Sequence, residues 1–483
     1  MTEYIKRFSR CLLTMLMALT ISTLAGAQSL PVLRVWTGTE WQAGMPYVNG
    51  SMQLEVAGAD TIRMAALIKT RGATAQQYMM KPAFNMKLRS DDYSQELDSN
   101  LLGIRSCSSW IVDAMAIDRI CMRNRVTFDI WNEFSRLPYS TKFGGRNGID
   151  GRFVEVYIND SYYGIYCLND RINRKLFGLK KVEATPTGDV FHGAIYKHGT
   201  QDIENQNEPA YNDDSTACVI DWHNAWELTY PDDYGCAAVW APLQDAYANG
   251  QSLAYVKKYF WLENLADYQL LVMALAIGDN WGTKNRFFSI REIGEDINGA
   301  HGEERKIVFT PWDLDTSFGG AWDGSNYDGV FKIWPLANIT GNAPYPFSFL
   351  QHDAEYNALM KKRWKVARAG ALSVDSVCAK LERYRDLFLE SGAWQRMVDR
   401  FESQPEKPCY VTDLAHEIEL IEAWYAARYQ EMDEWFGLPD GLEEIEHQSS
   451  DPSGACYDLL GRRYTTPTPG IYIIPGKKVF ITH

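Results

Sequence analysis

Two periodicities divide the chain. Between residues 28 and about 200, short runs alternate apolar and polar side chains: Phe84, Met86 and Leu88 fall on one face, Asn85, Lys87 and Arg89 on the other. Period two predicts half-buried strands. One helical pattern interrupts them over residues 110–134, where Ile111, Met115 and Asp118 recur at helical spacing. From about 250 to 437 the pattern is mostly helical. A long apolar helix is predicted over residues 259–277, and a last one over Leu414–Trp435 places Leu414, Ile418, Ile421, Tyr425, Tyr429 and Met432 on one face. Gly437 and Pro439 stop it. Between the two regions, residues 200 to 250 are rich in Asn, Asp, Trp and Tyr without a period, and read as a loop or substrate-facing insertion. The expectation is an α+β fold.

Two polar loops interrupt the helical half. The first, Pro311-Trp312-Asp313-Leu314-Asp315-Thr316-Ser317-Phe318-Gly319-Gly320, follows a short apolar strand at 307–309 and sets two carboxylates two positions apart before a glycine turn. Glycines let a backbone approach a ligand closely. Asp313 and Asp315 need not point the same way, because the turn re-aims whatever follows the strand. The second loop lies about thirty residues upstream, Gly278-Asp279-Asn280-Trp281-Gly282-Thr283-Lys284-Asn285-Arg286. Singly, Asp279 is an ordinary residue after a helix and Asn285 a turn former. Together with Asp313 they stand in the order of a kinase site: a substrate-orienting Asp, a metal-binding Asn, a metal-binding Asp.

With these loops the chain resembles the CotH kinase family (spore-coat protein H and its relatives), atypical protein kinases that are secreted or surface-associated. Further segments carry the resemblance: Tyr47-Val48-Asn49-Gly50-Ser51-Met52, Ile68-Lys69-Thr70-Arg71-Gly72-Ala73-Thr74, Lys81-Pro82-Ala83-Phe84, Asp118 with Arg123-Asn124, and Val154-Glu155-Val156-Tyr157-Ile158-Asn159-Asp160-Ser161-Tyr162-Tyr163-Gly164. The resemblance implies a two-lobed, protein-kinase-like domain over residues 28–437, with ATP and Mg²⁺ as cofactors. It implies Asp279 as the catalytic residue, Asn285 and Asp313 as metal ligands, and Asp315 as either a second ligand or a brace. Arg71-Gly72 is either a phosphate-facing turn or an ordinary hairpin. Lys81 or Lys87 meets the nucleotide phosphates, with Lys87 favoured for its strand position. Asp170 stands where the family has an acid after a strand, available to pair with a lysine. Lys197 follows Tyr196 as in the family's Tyr-Lys step, another candidate phosphate cation.

The start of the chain bears on location. Lys6, Arg7 and Arg10 precede an apolar run from Cys11 to Leu24 and the small residues Ala25-Gly26-Ala27, so residues 1–27 read as a secretory signal peptide. No later run is long and apolar enough to span a membrane. Of nine cysteines, eight remain after residue 27, and Cys218 with Cys236 is the preferred bridge, while Cys107 and Cys121 equally suit buried thiols. A net charge of -14 argues against nucleic acid as a partner. Sixteen tryptophans suit core packing or a carbohydrate-binding surface. An acidic, Ser- and Gly-bearing linker at 438–455 leads to strand-like residues 456–483, which are similar to C-terminal sorting modules of type IX secretion. The expected location is periplasmic, cell-surface or secreted.

Two functions stay open. One is an exported kinase acting on Ser or Thr of an exported protein substrate. The other is a non-catalytic surface adhesin or matrix organiser that keeps a kinase-like fold. Scarce ATP outside the inner membrane favours the second, and the retained Asp279, Asn285 and Asp313 favour the first.

Overall fold

The alternation in the N-terminal third closes into a barrel. In β4 (Phe84–Arg89) every second side chain is buried, and the same rule builds β1 (Val32–Thr37), β2 (Val48–Glu55) and β3 (Ile62–Thr70). With β5 (Ser109–Asp113), β6 (Gly151–Ile158) and β7 (Ser161–Asn169) they form a closed barrel in the order β1-β2-β3-β4-β5-β7-β6. Its neighbours are antiparallel except at the closure, where β1 runs parallel to β6 from Val32↔Glu155 to Val35↔Ile158. Leu33, Val35, Leu54, Ile68, Met86, Trp110 and Val154 fill the interior at zero exposure. This computed structural model describes residues 29–72, 78–198, 226–231, 237–248, 252–280, 285–293, 302–321, 323–325, 348–404, 410–438 and the strands between 456 and 481. Residues 1–28, 199–225, which include Cys218, and 232–236, which include Cys236, lie outside the described residues.

The helix expected at 110–134 divides in two. Residues 109–113 are β5, a strand paired on both sides, with β4 and β7. Trp110, Ile111 and Val112 are all buried, so the alternation that marks a half-buried strand is missing there. The helix begins only at α1 (Arg123–Phe134). Its cap residue, Met122, offers no side-chain acceptor. Asp118 does that work from outside, accepting from the backbone N–H of Arg123 at 2.8 Å and of Ile120 at 3.1 Å.

After the short α2 (Ser140–Phe143) and the hairpin of β8 (Glu183–Thr185) and β9 (Gly188–Val190), a second antiparallel sheet runs β11-β10-β12-β13. Its strands are β10 (Ala194–His198), β11 (Trp226–Tyr230), β12 (Arg286–Ile290) and β13 (Val308–Pro311). The helices are α3 (Ala237–Ala248), α4 (Leu253–Tyr259), α5 (Leu262–Leu275), α6 (Ala354–Arg368), α7 (Val374–Glu390), α8 (Ala393–Glu402) and α9 (Leu414–Trp435). The apolar run expected as one helix over 259–277 is shorter because Phe260 is extended and bridges Ile307, and because Ala276 turns left-handed at φ 48°. The fold is thus α+β, and among the described residues no helix is long and apolar enough to cross a membrane.

Helix α5 is buried from Asn264 to Leu275 and carries β13. The Asn264 amide plays the part of a neighbouring strand: its Oδ1 accepts from Phe309 N at 2.6 Å and its Nδ2 donates to Phe309 O at 3.1 Å. Asn147 adds a second donor to the Phe309 carbonyl at 3.0 Å. Arg363 fixes α6 to α5 through a two-pronged pair with Asp267, both contacts at 2.7 Å. The chain leaving β13 therefore starts from a rigid base.

The chain divides into two compact units, residues Met1–Tyr425 and Ala426–His483. The second holds the end of α9 and a four-stranded sheet, β15-β14-β16-β17, made of β14 (Cys456–Asp458), β15 (Arg463–Tyr464), β16 (Gly470–Ile474) and β17 (Lys477–Ile481).

Candidate active site

The acidic loop continues β13. Trp312 N donates to Asn285 O at 2.9 Å, one step beyond the last ladder pair, Arg286↔Pro311. The Trp312 ring stands edge-on to Phe287 at 5.5 Å. Asp313 then takes φ 58°, a left-handed conformation that costs a non-glycine residue roughly 1–3 kcal/mol where it is held in place. The reversal sends Leu314 into the interior at zero exposure and leaves Asp313 exposed. Strand alternation alone does not produce that result.

Helix α1 holds the rest of the loop. Asn124 Oδ1 accepts from Leu314 N at 3.2 Å, while its Nδ2 donates to Asp113 at 3.1 Å. Thr127 Oγ1 meets Ser317 Oγ at 2.8 Å, both fully buried. Phe318 N donates to Leu275 O at 2.8 Å, and Phe318 and Gly319 are left-handed at φ 54° and 74°. Arg123, paired with Asp118 at 2.6 Å, packs so tightly beneath Gly320 that a Cβ there would lie 3.1 Å from its Cδ and Nε and 3.1 Å from Asp315 O. Asp315 is half-buried.

The second loop is clamped to the first by one side chain. Asn280, at zero exposure, closes the short turn Gly278–Asn280. Its Nδ2 donates to Asn285 O at 2.8 Å and to Trp312 O at 2.9 Å. Tyr268 OH anchors the turn by donating to Asn280 O at 3.0 Å. Asn285, like Asp313, is left-handed at φ 58°. Asp279 stands beside Asn280 in this turn; its side chain and residues 281–284 lie outside the described residues. The backbones of Asp279, Asn285 and Asp313 are therefore brought together. Asn280 went unassigned in the sequence because an Asn after a helix is a common turn residue, and its role exists only where both loops meet.

Of the expected cations, Arg71 and Lys87 join one patch beside this loop. The Arg71 guanidinium lies 5.8 Å from the Trp312 ring centre. Lys87 and Lys69 stand 4.7 Å and 5.7 Å from the ring of Tyr47, whose hydroxyl is near Arg171. Burial raises the Tyr47 hydroxyl above its ordinary value, while Arg171 and Arg71 pull it down. Asp170 reaches the patch indirectly. At zero exposure it binds Arg105 at 2.7 Å, and Arg105 also donates to Arg171 O at 2.6 Å. The acid thus pairs with an arginine where a lysine was expected. Burial raises the Asp170 carboxyl, against the pull of Arg105 and Arg146.

Lys81 and Lys197 make other contacts. Lys81 is fully buried, its Nζ 3.4 Å from Met397 Sδ and 4.0 Å from Cys121 Sγ, with the Tyr410 and Tyr166 rings at 4.7 Å and 5.1 Å. Lys197 pairs with Glu227 at 3.7 Å on the second sheet, opposite Phe287. Cys107 and Cys121 are buried thiols.

The residues present fit a hydrated Mg²⁺. That ion takes one or two carboxylates and otherwise keeps water and phosphate oxygens, so it needs no protein cage. Among the described residues no group of three or more His, Cys, Asp or Glu forms such a cage. Asn285, 7% exposed, has a buried Nδ2 with no hydrogen-bond partner. Turning that amide over presents its oxygen instead, which suits a ligand to a metal. Asp313 is exposed and follows Trp312, whose backbone N–H donates to Asn285 O.

The model of a family described as CotH kinase protein matches residues 68–432, a span that holds both loops, α1, Arg71 and Lys87. The chain belongs to the CotH kinase family. No curated protein matches it. Membership makes this a kinase-like chain, and kinases draw on a nucleoside triphosphate and Mg²⁺.

Proposed function

We propose that this chain is an exported protein kinase that transfers the γ-phosphoryl group of ATP to a Ser or Thr hydroxyl of a secreted or surface protein. The observation that carries the reading is the Asn280 clamp, which joins the Asp279 turn to Asn285 and Trp312. In this reading Arg71 and Lys87, gathered around Tyr47, receive the phosphates, and the barrel serves as the nucleotide lobe. Bound Mg²⁺, held by Asp313 and Asn285 with Asp315 as second ligand or brace, would neutralise charge on the phosphates. Asp279 orients the acceptor hydroxyl and takes its proton as the new O–P bond forms and ADP departs. Export rests on the leader-like residues 1–27, and the C-terminal sheet serves as a sorting module.

Calorimetry of ATP binding to the purified chain, with and without Mg²⁺, tests the nucleotide site. Transfer from γ-labelled ATP to the chain itself and to co-exported proteins tests the chemistry. Metal-dependent binding followed by label in Ser or Thr is expected. A chain that binds no nucleotide with or without metal overturns the reading.

A further inference from the structure

The outer wall of the barrel carries a cleft that lies apart from the phosphotransfer site. Across three strands, Trp36 of β1 stands opposite Ser51 of β2, and Ser51 opposite Ala65 of β3. Two small side chains beside a large one leave a gap, which is bounded on the far side by Asp91 just after β4. The cavity measures about 270 Å³ and is lined by Trp36, Ser51, Gln53, Arg63, Ala65 and Asp91. Along β3, Ala65 is four residues from Lys69, roughly 13 Å at strand rise.

The walls are built in place. Trp36 Nε1 donates to Asp160 at 3.0 Å, which orients the indole. Arg63 Nε donates to Gln53 Oε1 at 2.9 Å, Gln53 Nε2 to Glu55 at 2.5 Å, and Arg34 Nε to the same carboxylate at 2.9 Å. Asp91 sits in a turn tied by its neighbours. Asp92 accepts from Ser90 Oγ at 2.5 Å and from Ser94 N at 3.1 Å, and Tyr93 OH donates to Gly50 O at 2.9 Å. Asp91 is exposed and enters no ion pair among the described residues, and the bond to Gln53 uses only Nε of Arg63.

We propose that this cleft binds one neutral hexopyranose unit, with the Trp36 ring against its C–H face and Asp91, Arg63 and Ser51 hydrogen-bonding its hydroxyls. Four features select that chemistry. One flat aromatic wall suits a ring with an apolar face. The opposite wall offers one carboxylate and one guanidinium, so an anion meets Asp91 and a cation meets Arg63. A purely apolar ligand would strand both. The volume falls just below that of pockets for drug-sized molecules, typically about 300–1,000 Å³, and suits a single sugar. The inference does not depend on phosphotransfer.

Saturation-transfer NMR on the full chain with glucose, galactose, mannose and N-acetylglucosamine, each separately, tests it. At least one sugar is expected to receive saturation from the wild type, with an affinity on the order of 1 mM. Ala65→Trp, which fills the gap, and Trp36→Ala, which removes the wall, should each abolish the signal, while Asp313→Asn leaves it unchanged. Circular dichroism checks that the variants fold; if either substitution unfolds the chain, Asp91→Ala in the exposed turn should weaken binding tenfold or more. Absence of transfer to all four sugars, or an undiminished signal in folded Ala65→Trp or in Asp91→Ala, overturns the proposal.

Discussion

The side-chain amide of Asn280 donates to the Trp312 carbonyl at 2.9 Å, across 32 residues of sequence. The same nitrogen reaches the Asn285 carbonyl at 2.8 Å, so one buried group sets the spacing of two loops whose key residues are both left-handed. Both acceptors share this donor, and the Asn285 carbonyl also accepts from Trp312 N. Asn280→Ala removes it and should cost roughly 1–3 kcal/mol, chiefly at the Trp312 carbonyl, because Asn285 O keeps its bond from Trp312 N. Asn280→Asp should not rescue, because a carboxylate offers acceptors to two carbonyls. Urea unfolding measures the loss, and Mg²⁺-ATP affinity should fall in both variants even where they remain folded. Aspartate restoring wild-type stability would show that the clamp is not what holds the loops.

Asp313→Asn keeps volume and polarity but removes the charge. Since Asp313 is exposed and Leu314 does the packing, the fold should survive. Asparagine also tolerates the left-handed backbone. Metal-dependent ATP binding should disappear in calorimetry. An unchanged Mg²⁺-ATP isotherm would move the metal role to Asp315.

Asp279→Ala should retain most nucleotide affinity and lose phosphoryl transfer, because a group that orients the acceptor hydroxyl acts on the transition state more than on bound ATP. The expected loss is about 10²- to 10⁴-fold in the labelling rate. Equal label incorporation by variant and wild type would assign the proton to another group.

Gly320→Ala tests the support beneath the acidic loop. The added Cβ would meet Arg123 and the Asp315 carbonyl at 3.1 Å, so either the buried Arg123–Asp118 pair or the loop backbone must give way. A stability loss of about 1–3 kcal/mol is expected, together with a higher Mg²⁺ requirement. Wild-type metal dependence in the folded variant would separate Arg123 from the loop's function.

Asp92 gives a test in acid. Hydrogen bonds from the Ser90 hydroxyl, and then from the Ser94 backbone and hydroxyl, hold its carboxyl down at about 2. A lowered value in the folded state means that Asp92 supports the turn above its unfolded pKa of about 4 and ceases to do so as pH falls through the folded value. NMR titration of the Asp92 carboxyl should show that midpoint, and Ser94→Ala should raise it. A midpoint near the unfolded value would leave the turn that presents Asp91 without this support.

Local periodicity was legible wherever one face of an element meets solvent. The alternation in β4 and the last helix, Leu414–Trp435, can be read directly from residue order. It failed where burial is two-sided, as at Trp110, Ile111 and Val112, and where a distant partner pulls one residue out of a helix, as Ile307 does to Phe260. The site divides in the same way. The order of Asp279, Asn285 and Asp313, the Gly-Gly turn and the family they indicate are written in the chain, because each is a property of neighbouring residues.

Which lysine is buried is not written there. Lys81 lies at zero exposure because Met397, 316 residues later, packs against its Nζ, whereas Lys87 stays half-exposed because Tyr47 covers only one side of it. Nor does residue order reveal that Asn280 is a clamp or that Ser51 and Ala65 open a cleft beside Trp36. Periodicity reports which way a side chain leaves its own strand or helix. What it then meets is set by chain packed against it from elsewhere, and only tertiary structure supplies that second surface.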